Sequence, residues 1–355
     1  MNTLADRFRR HAKMMPAGLY RCLIFAFAED FEADGVVAEI CRDWADAPTG
    51  AIVQLRLLGG IQRLVLAGRA PQLVRYYPNL GGDAAPEDAW TDFEPVLRAH
   101  VEELRAALEI APQTNEPGRA VPLLIGLFDA VRRSGLAQVR LLEVGASAGL
   151  NLLVDRFRVS GSGWSYGPAD SPLQLPDAVR GAVRPVPFSV VSRRGCDLAP
   201  IDAGSPDGRL RLASFVWPHD LHRYQRLHAA LQIAAAYPVT VDRAPAAEWL
   251  AGQLAVAPGD GELTAVWHSI TRQYWPTEEV TAVATVLAEA GRRMPIAHIA
   301  MESPVLASDP ASDMRGYQPP ELTVQLAVPG GPADSAPVLL GTVADHGVPV
   351  TLLDR

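Results

Sequence analysis

After Gly135 the chain changes its pattern: short apolar, β-branched runs alternate with longer stretches that have helical spacing. The short runs are residues 139–144, 188–191, 239–241, 264–267 and 296–300, and the helical stretches are 149–157, 222–235 and 277–292. Strands that alternate with helices predict a parallel sheet with helices on both faces. Three further runs, 322–327, 338–343 and 348–353, are separated by short turns only, which predicts an antiparallel end to the sheet.

Residues before this change are mainly helical in pattern. Apolar residues recur at helical spacing over 97–110 and over 120–133, and a polar turn with a proline and a glycine lies between the two stretches. The Gly- and Ser-rich residues 161–167 predict a surface insertion after the first strand. We therefore predict an α/β protein with an N-terminal helical domain at 1–135 and an α/β domain at 136–355.

The composition narrows the range of partners. Of the 355 residues, 48% are hydrophobic and 20% are charged, and the formal net charge is −8, which is typical of a soluble globular protein that binds no nucleic acid. The apolar run at 22–28 is far shorter than the ~20 residues of a membrane span, and the N-terminus lacks an apolar signal core. Three scattered cysteines fit a reducing compartment. We expect a cytoplasmic protein without a membrane partner that acts on a small molecule.

The stretch 143–151, Glu-Val-Gly-Ala-Ser-Ala-Gly-Leu-Asn, predicts a cofactor-binding turn between the first strand and the next helix. Ligands of open parallel sheets bind beyond the carboxyl ends of the strands, and small residues allow the backbone to approach them closely. Ser147 stands where a third glycine is usual, and it adds only a hydroxyl group. A tight turn without a ligand is the alternative. The predicted cofactor-binding residues of this turn are Glu143, Gly145, Ala146, Ser147, Gly149 and Asn151.

Two acidic residues bear on the identity of the cofactor. Glu143 would repel the phosphates of a dinucleotide, but it could bind the amino group of a nucleoside that carries an amino acid. Asp197, at the end of the second predicted strand, could bind ribose hydroxyls, although the insertion places it later in the chain than is usual. These residues favour S-adenosylmethionine over NAD.

The candidate catalytic residues are His268 and Glu302, at the ends of the fourth and fifth predicted strands. His268 could act as a general base on a hydroxyl, thiol or amine group, or it could cap a helix or fill a polar pocket. Glu302 could face the same cleft or lie at a solvated strand end. His298, inside the fifth strand, predicts a packed core histidine.

The candidate substrate-binding residues are Gln113, Asn115, Arg119, Trp217 and His346. The first three belong to the polar turn before residue 120, which could lie over the cofactor cleft. Arg119 could bind a carboxylate through two hydrogen bonds or form a surface ion pair, and Trp217 could line an apolar pocket or belong to the core. We predict no metal site, because His219 and His222 lack an evident third ligand and fit a solvated helix entrance capped by Asp220.

Two other functions remain open. Residues 145–149 fit the Gly-x-Ser-x-Gly pattern of hydrolase nucleophiles, with Ser147 as nucleophile, His346 as base, and Asp309 or Asp313 as the residue that orients the base. Glu143 and the lack of a His-Gly-Gly-type oxyanion segment before the motif argue against this hydrolase. The other alternative is a noncatalytic protein that senses a nucleoside or binds a partner.

Four separated motifs, at 113–119, 143–151, 215–218 and 267–269, resemble a bacterial family called domain of unknown function number twenty-three thirty-two. This resemblance covers nearly the whole chain and implies no activity. More distantly, the C-terminal half is similar to class I S-adenosylmethionine-dependent methyltransferases, whose first motif corresponds to Glu143, Gly145, Ser147 and Gly149. That similarity implies a Rossmann-like, seven-stranded sheet and a methyltransferase-like activity. Trp267-His268-Ser269 stands where enzymes that methylate amino groups of adenine, cytosine or glutamine carry an Asn/Asp-Pro-Pro-aromatic set, which argues against those substrates.

Overall fold

The structure is a computed structural model that describes residues 3–304 and 318–354. Contacts divide the chain into two compact units, Met1–Thr114 with Pro206–Gln225 and Asn115–Ser205 with Arg226–Arg355. Compact units do not show which parts of the chain fold independently. The division into domains at 1–135 and 136–355 therefore stays a prediction. In the described part of the chain, no helix is long and apolar enough to cross a membrane.

The secondary-structure elements of the described residues are as follows. The α-helices are α1 (Leu4–Met14), α2 (Leu19–Glu32), α3 (Val36–Ile40), α4 (Val53–Leu66), α5 (Trp90–Ala99), α6 (Val101–Leu108), α7 (Ala120–Ser134), α8 (Pro206–Ala213), α9 (Leu221–Ala236), α10 (Ala246–Ala255) and α11 (Thr277–Gly291). The strands are β1 (Gln138–Val144), β2 (Arg158–Gly161), β3 (Trp164–Tyr166), β4 (Gln174–Leu175), β5 (Val179–Arg180), β6 (Ser189–Asp197), β7 (Val241–Arg243), β8 (Glu262–Ser269), β9 (Ile296–Glu302), β10 (Glu321–Ala327), β11 (Val338–Val343) and β12 (Val350–Leu352).

The first unit is helical and has its own apolar core. Phe8 of α1 and Phe27 of α2 are fully buried, and their rings meet edge to face with centroids 6.5 Å apart. The buried amide of Gln62 on α4 is hydrogen-bonded at both ends: its oxygen accepts from the Tyr20 hydroxyl, and its Nε2 donates to the Val216 carbonyl oxygen at 2.8 Å. The core therefore buries this polar group without leaving it unsatisfied.

The second unit is built on a large, mostly parallel sheet. Its strand order is β5-β12-β11-β10-β9-β8-β1-β6-β7, and β7, β6, β1, β8 and β9 run parallel to one another. In the parallel part, β6 and then β7 add to one side of β1, and β8 and then β9 add to its other side. The order thus reverses between β1 and β8, and ligands of open α/β sheets bind beyond the carboxyl ends of the strands at such a point.

The other side of the sheet is antiparallel, as the sequence predicts. Strands β10, β11 and β12 follow β9 as an antiparallel meander, and the short β5 pairs with β12 at the edge. Within residues 3–304 and 318–354 the sheet therefore has nine strands, whereas the resemblance to methyltransferases implied seven. The excess arises because the last hairpin extends the edge and the segment after β1 returns to cover it.

Helices pack on both faces of the sheet. On one face α7 lies so close that a Cβ on Gly126 would be 2.4 Å from Cγ2 of Ile299. On the other face Leu142 and Val266 pack with Trp249 of α10 and Leu287 of α11. Because residues in register on parallel strands point to the same side, Glu143 and Trp267, which are in register with Ile299, face the α7 side.

Most predicted elements are confirmed, and three local predictions need correction. The stretch 97–110 forms two helices, α5 and α6, because the backbone breaks at His100. The stretch 149–157 is a 3₁₀ helix, Leu150–Arg156, with non-helical dihedral angles at Leu153, and not an α-helix. The insertion after β1 carries a small sheet of its own, formed by β3, β2 and β4.

Candidate functional site

The glycine turn follows β1 directly, and its conformation explains its residue types. Gly145, Ser147 and Gly149 have φ angles of +69°, +53° and +73°, in the left-handed region that favours glycine. Gly145 also lacks space, since a Cβ there would lie 2.6 Å from Oγ1 of Thr271. Ser147, at the position where a third glycine is usual, keeps the conformation that a glycine would adopt.

The turn is held by backbone hydrogen bonds to Asp197. The Ser147 N–H donates to Oδ2 of Asp197 at 2.9 Å, and the Ala199 N–H donates to Oδ1 at 2.8 Å. The Ala146 N–H donates to the Cys196 carbonyl oxygen at 2.9 Å, and Ala146 itself is fully buried. Asp197 therefore holds the turn, while its predicted role as a ribose ligand stays a prediction.

Asn115 anchors the other end of the turn. Its Oδ1 accepts a hydrogen bond of 2.8 Å from the Leu150 N–H at the start of the 3₁₀ helix. The Asn115 side chain is buried, so this bond satisfies a backbone donor that has no partner within the helix. The sequence assigned Asn115 to a substrate, and the structure gives it a positioning contact with the predicted cofactor turn.

Glu143 is a buried carboxyl group beside this turn. Its side chain is 2% exposed. Burial raises the pKa of Glu143 to about 8, and the charge of Asp197 acts in the same direction, whereas Asn151, Trp267 and Arg119 act in the opposite direction. Burial prevails because no cation among the described residues pairs directly with this carboxylate.

Several buried polar atoms around Glu143 make no hydrogen bond of ordinary geometry within the described residues. They are Oε2 of Glu143, Oγ of Ser147, Oδ1 of Asn151 and Nε1 of Trp267. Buried polar atoms are satisfied in the great majority of cases, and exceptions call for an explanation such as a bound ligand. These donors and acceptors belong to the end of β1, its turn and the adjacent strand β8, which is the point where the strand order reverses.

A second group of polar side chains lies at the ends of β8 and β9, on the α10–α11 side of the sheet. His268 and Glu302 are buried. The Nδ1 of His268 is 2.6 Å from Oε1 of Glu302, and its Nε2 is 2.8 Å from Nε2 of His298. His298 is partly exposed and bonded to His268, so it belongs to this polar group, and its assignment to the packed core stays a prediction.

The loop after β8 lies between the two groups. Oε1 of Glu302 accepts hydrogen bonds from the backbone N–H groups of Thr271 at 3.1 Å and Arg272 at 3.2 Å, and the Thr271 side chain lies against Gly145. Burial opposes ionisation of Glu302, but the bond from His268 and these two backbone donors outweigh it and hold its pKa below the usual value. Glu302 is therefore an anion whose position is tied to the glycine turn through one loop.

Arg119 and the loop at His346 lie next to these residues. Arg119 donates from a terminal guanidinium nitrogen to the Ser269 carbonyl oxygen at 3.4 Å. A Cβ on Gly118 would be 2.3 Å from the His346 carbonyl oxygen, so the two loops are packed backbone to backbone. Glu116 is buried and pairs with Arg226 at 3.1 Å. The polar motif at 113–119 thus positions the glycine turn and the loop after β8.

Two predicted substrate residues belong to the first compact unit. Gln113 accepts a hydrogen bond of 2.6 Å from Arg211 there. Trp217 packs against Tyr20, with ring centroids 6.0 Å apart. Their assignment to a substrate stays a prediction.

Other features of the sequence have structural explanations. Asp242, in β7, binds Arg194 through two hydrogen bonds and accepts one from Trp249 Nε1 at 2.7 Å. Asp220 accepts from the Arg223 N–H at the start of α9, which confirms its capping role. Among the described residues no group of three metal-binding side chains could hold an ion. Asp309 and Asp313 lie outside the described residues.

Sequence reasoning missed Thr271, Arg272, Arg226 and the bond of His298. A signal for His298 was present, because residues two or four positions apart on a strand share a face, which places His298 with Glu302. Thr271 and Arg272 follow a strand whose end already carried a candidate base. Arg226 gave no such signal, since its partner Glu116 is far away in the chain.

The comparisons with known proteins identify a family for this chain. Residues 5–351 match the family described as "Uncharacterized protein conserved in bacteria (DUF2332)". The chain therefore belongs to this family. No curated protein and no solved structure matches the chain.

Proposed function

We propose that this protein binds S-adenosylmethionine beyond the carboxyl ends of β1 and β8 and acts as a methyltransferase-like enzyme on a small molecule. The observation that carries the proposal is the buried Glu143 carboxyl, with one oxygen unpartnered. A buried carboxylate is stable when a cation pairs with it. S-Adenosylmethionine carries an ammonium group on its amino-acid part that could pair with this carboxyl, whereas NAD and ATP bring phosphates that would oppose its ionisation.

The fold supports this proposal. In order of appearance, the five parallel strands stand as third, second, first, fourth and fifth, which is the order of the corresponding strands in doubly wound nucleotide-binding sheets. We interpret the parallel part as a Rossmann-like core of the methyltransferase type, extended by the antiparallel strands. Gly145, Ala146, Gly149 and Asp197 would shape the binding turn, and Asn151 and Ser147 would supply hydrogen bonds.

The residues at the ends of β8 and β9 supply the proposed proton chemistry. His268 and Glu302 are hydrogen-bonded as a base and the carboxylate that orients it. Arg119 and His346 belong to loops beside this group and would contact the acceptor substrate. A hydroxyl, thiol or amine acceptor needs such a base, because it must lose a proton when it is methylated.

Calorimetry tests the binding proposal directly. At about pH 7 the Glu143 carboxyl is protonated in the free protein, and an ammonium group that binds beside it would release that proton. We expect S-adenosylmethionine and its demethylated product to bind, with heats that depend on the ionisation enthalpy of the buffer. A nucleoside without the amino-acid part, such as 5′-methylthioadenosine, should release no proton.

Two variants control this experiment. Glu143→Gln should weaken binding and abolish the proton release, whereas Ser147→Gly should preserve both, since it keeps the turn conformation and loses at most one hydrogen bond worth about 0.5–1.5 kcal/mol. Binding of NAD alone, or no heat from any nucleoside, would overturn the proposal. Nucleoside binding without methyl transfer to any of a mixture of metabolites would favour a noncatalytic sensor.

One observation favours the hydrolase as a second candidate: Ser147 has a φ of +53° in a Gly-x-Ser-x-Gly turn, as the strained turn of a hydrolase nucleophile requires. Its Oγ, however, is buried and donates no hydrogen bond to a histidine among the described residues. A fluorophosphonate probe separates the two functions. Labelling of Ser147 that is lost in His346→Ala would establish the hydrolase, and no labelling would exclude a nucleophilic serine.

A further inference from the structure

The hydrogen bonds of Glu302, His268 and His298 determine where protons lie. Glu302 is ionised and can only accept, so His268 must donate to it from Nδ1. If His268 is neutral, its Nε2 carries no proton and must accept from His298 Nε2. His298 is then protonated at Nε2, and its Nδ1 is left with a free lone pair.

The free nitrogen of His298 belongs to the less enclosed of the two rings. Both ring nitrogens of His268 are occupied, and its side chain is 2% exposed. His298 is partly exposed, and within the described residues its only hydrogen bond is the one to His268. A ligand can therefore exchange a proton with His298 without breaking either bond of His268.

We propose that His298 is the open end of a proton relay in which Nδ1 of His298 accepts the proton, His268 carries the resulting charge, and Glu302 stabilises that charge. This inference rests on the proposed function for the identity of the proton donor, an acceptor group X–H. The X–H bond breaks, its electron pair stays on X, and the proton binds His298 Nδ1. The Nε2–H proton of His298 then passes to His268 Nε2. His298 ends neutral, and His268 ends as a cation beside the Glu302 carboxylate.

The electrostatics of the group agree with this division of roles. Burial, then the charges of His268 and Arg272, lower the pKa of His298 to about 3, so His298 does not keep the charge that it receives. The charged or titratable groups that face it from neighbouring elements are His268 on β8, Arg272 on the following loop and Glu302 on its own strand. The residue opposite it on β10 is the uncharged Gln325. His268, in contrast, lies directly against an anion.

Proton–nitrogen correlation spectra of the full-length protein test the relay, because they distinguish the two neutral tautomers of each histidine. At high pH we expect the Nε2–H tautomer for His298 and the Nδ1–H tautomer for His268. When the pair takes up one proton, the relay places the charge on His268, and His298 should change to the Nδ1–H tautomer while it stays neutral. An Nδ1–H tautomer of His298 at high pH, or a His298 that itself becomes a cation, would overturn the proposal.

Three variants sharpen the test. His298→Asn assigns the resonances of His298, and His268→Asn should abolish the tautomer change of His298. His228→Asn is the matched control: burial also lowers the pKa of His228, but this residue lies on α9, outside the relay, so the tautomer change should persist.

Chemical modification gives a second readout that needs no substrate. Diethylpyrocarbonate acylates accessible imidazole nitrogens with a free lone pair, so peptide mapping should find His298 modified and His268 protected in the native protein. In His298→Asn the protection of His268 should be lost. Modification of His268 but not of His298 in the native protein would refute the relay. Failure of nucleosides to bind would refute the proposed cofactor and leave these results unchanged, so the two failures are distinguishable.

Discussion

Replacing Glu143 by glutamine is expected to flatten the dependence of stability on pH. Burial raises the pKa of Glu143 to about 8, from 4.5 for an ordinary glutamate. The folded protein therefore holds this proton at pH values where the unfolded chain has already released it. The contribution of Glu143 to stability is complete below a pH of about 4.5 and is lost as the pH rises toward about 8.

The size of the effect follows from this interval. Each pH unit between the two pKa values costs up to about 1.4 kcal/mol. Between about pH 5 and pH 7 the native protein should lose about 2–3 kcal/mol through Glu143. Glutamine has no proton to exchange, so Glu143→Gln should show no such loss from this position.

Urea unfolding of both proteins at several pH values measures the difference. We expect the free energies of unfolding to diverge by about 2–3 kcal/mol in favour of the variant from about pH 5 to pH 7. Glu289→Gln, which removes an exposed glutamate of α11, is the matched control and should follow the native curve. Native and Glu143→Gln curves that run parallel over this interval would refute the argument that Glu143 is buried without a counter-charge.

Three further predictions concern the turn and the loops that hold it. Ser147→Gly should stabilise the protein by up to about 1 kcal/mol, because glycine adopts the φ of +53° without strain; Ser147→Ala should not, and urea midpoints compare the two. Asn115→Ala should cost about 1–3 kcal/mol, because it leaves the buried Leu150 N–H unpaired, whereas Asn115→Asp keeps an acceptor; thermal unfolding that ranks the two variants equally would contradict this. Gly118→Ala should cost about 1–3 kcal/mol, since its Cβ would lie 2.3 Å from the His346 carbonyl oxygen, and a variant with native stability would show that the two loops are not packed together.

Helices and strands with a clear periodicity were predictable from sequence. Helix α7 and strands β8 to β11 occur where the spacing of apolar residues indicates them, because an element that buries one face must repeat apolar residues with its own period. The prediction of an α-helix at 149–157 was wrong for a local reason. Three residues just before this segment have left-handed backbone angles, and Asn115 binds the backbone N–H of Leu150 at its start. The segment therefore begins in a tight turn, which the spacing of apolar residues does not reveal.

The chemistry of the candidate site was predictable in part. The sequence indicated Glu143 and the glycine turn, because a strand followed by small residues has a local signature. It also indicated His268 and Glu302 as strand ends. It gave no indication that both ring nitrogens of His268 would be hydrogen-bonded, because the bond to His298 depends on the register between β8 and β9.

By itself, the sequence determined an α/β chain with a parallel sheet, an antiparallel end and small residues after the first strand. The tertiary structure alone decided the strand order, the ninth strand, the unpartnered state of Glu143 and the union of Glu302, His268 and His298 in one hydrogen-bonded chain. The physical reason is the range of the interactions. Periodicity and turn preference act between residues a few positions apart, whereas burial, pKa and hydrogen bonding between strands arise only when distant segments pack against each other.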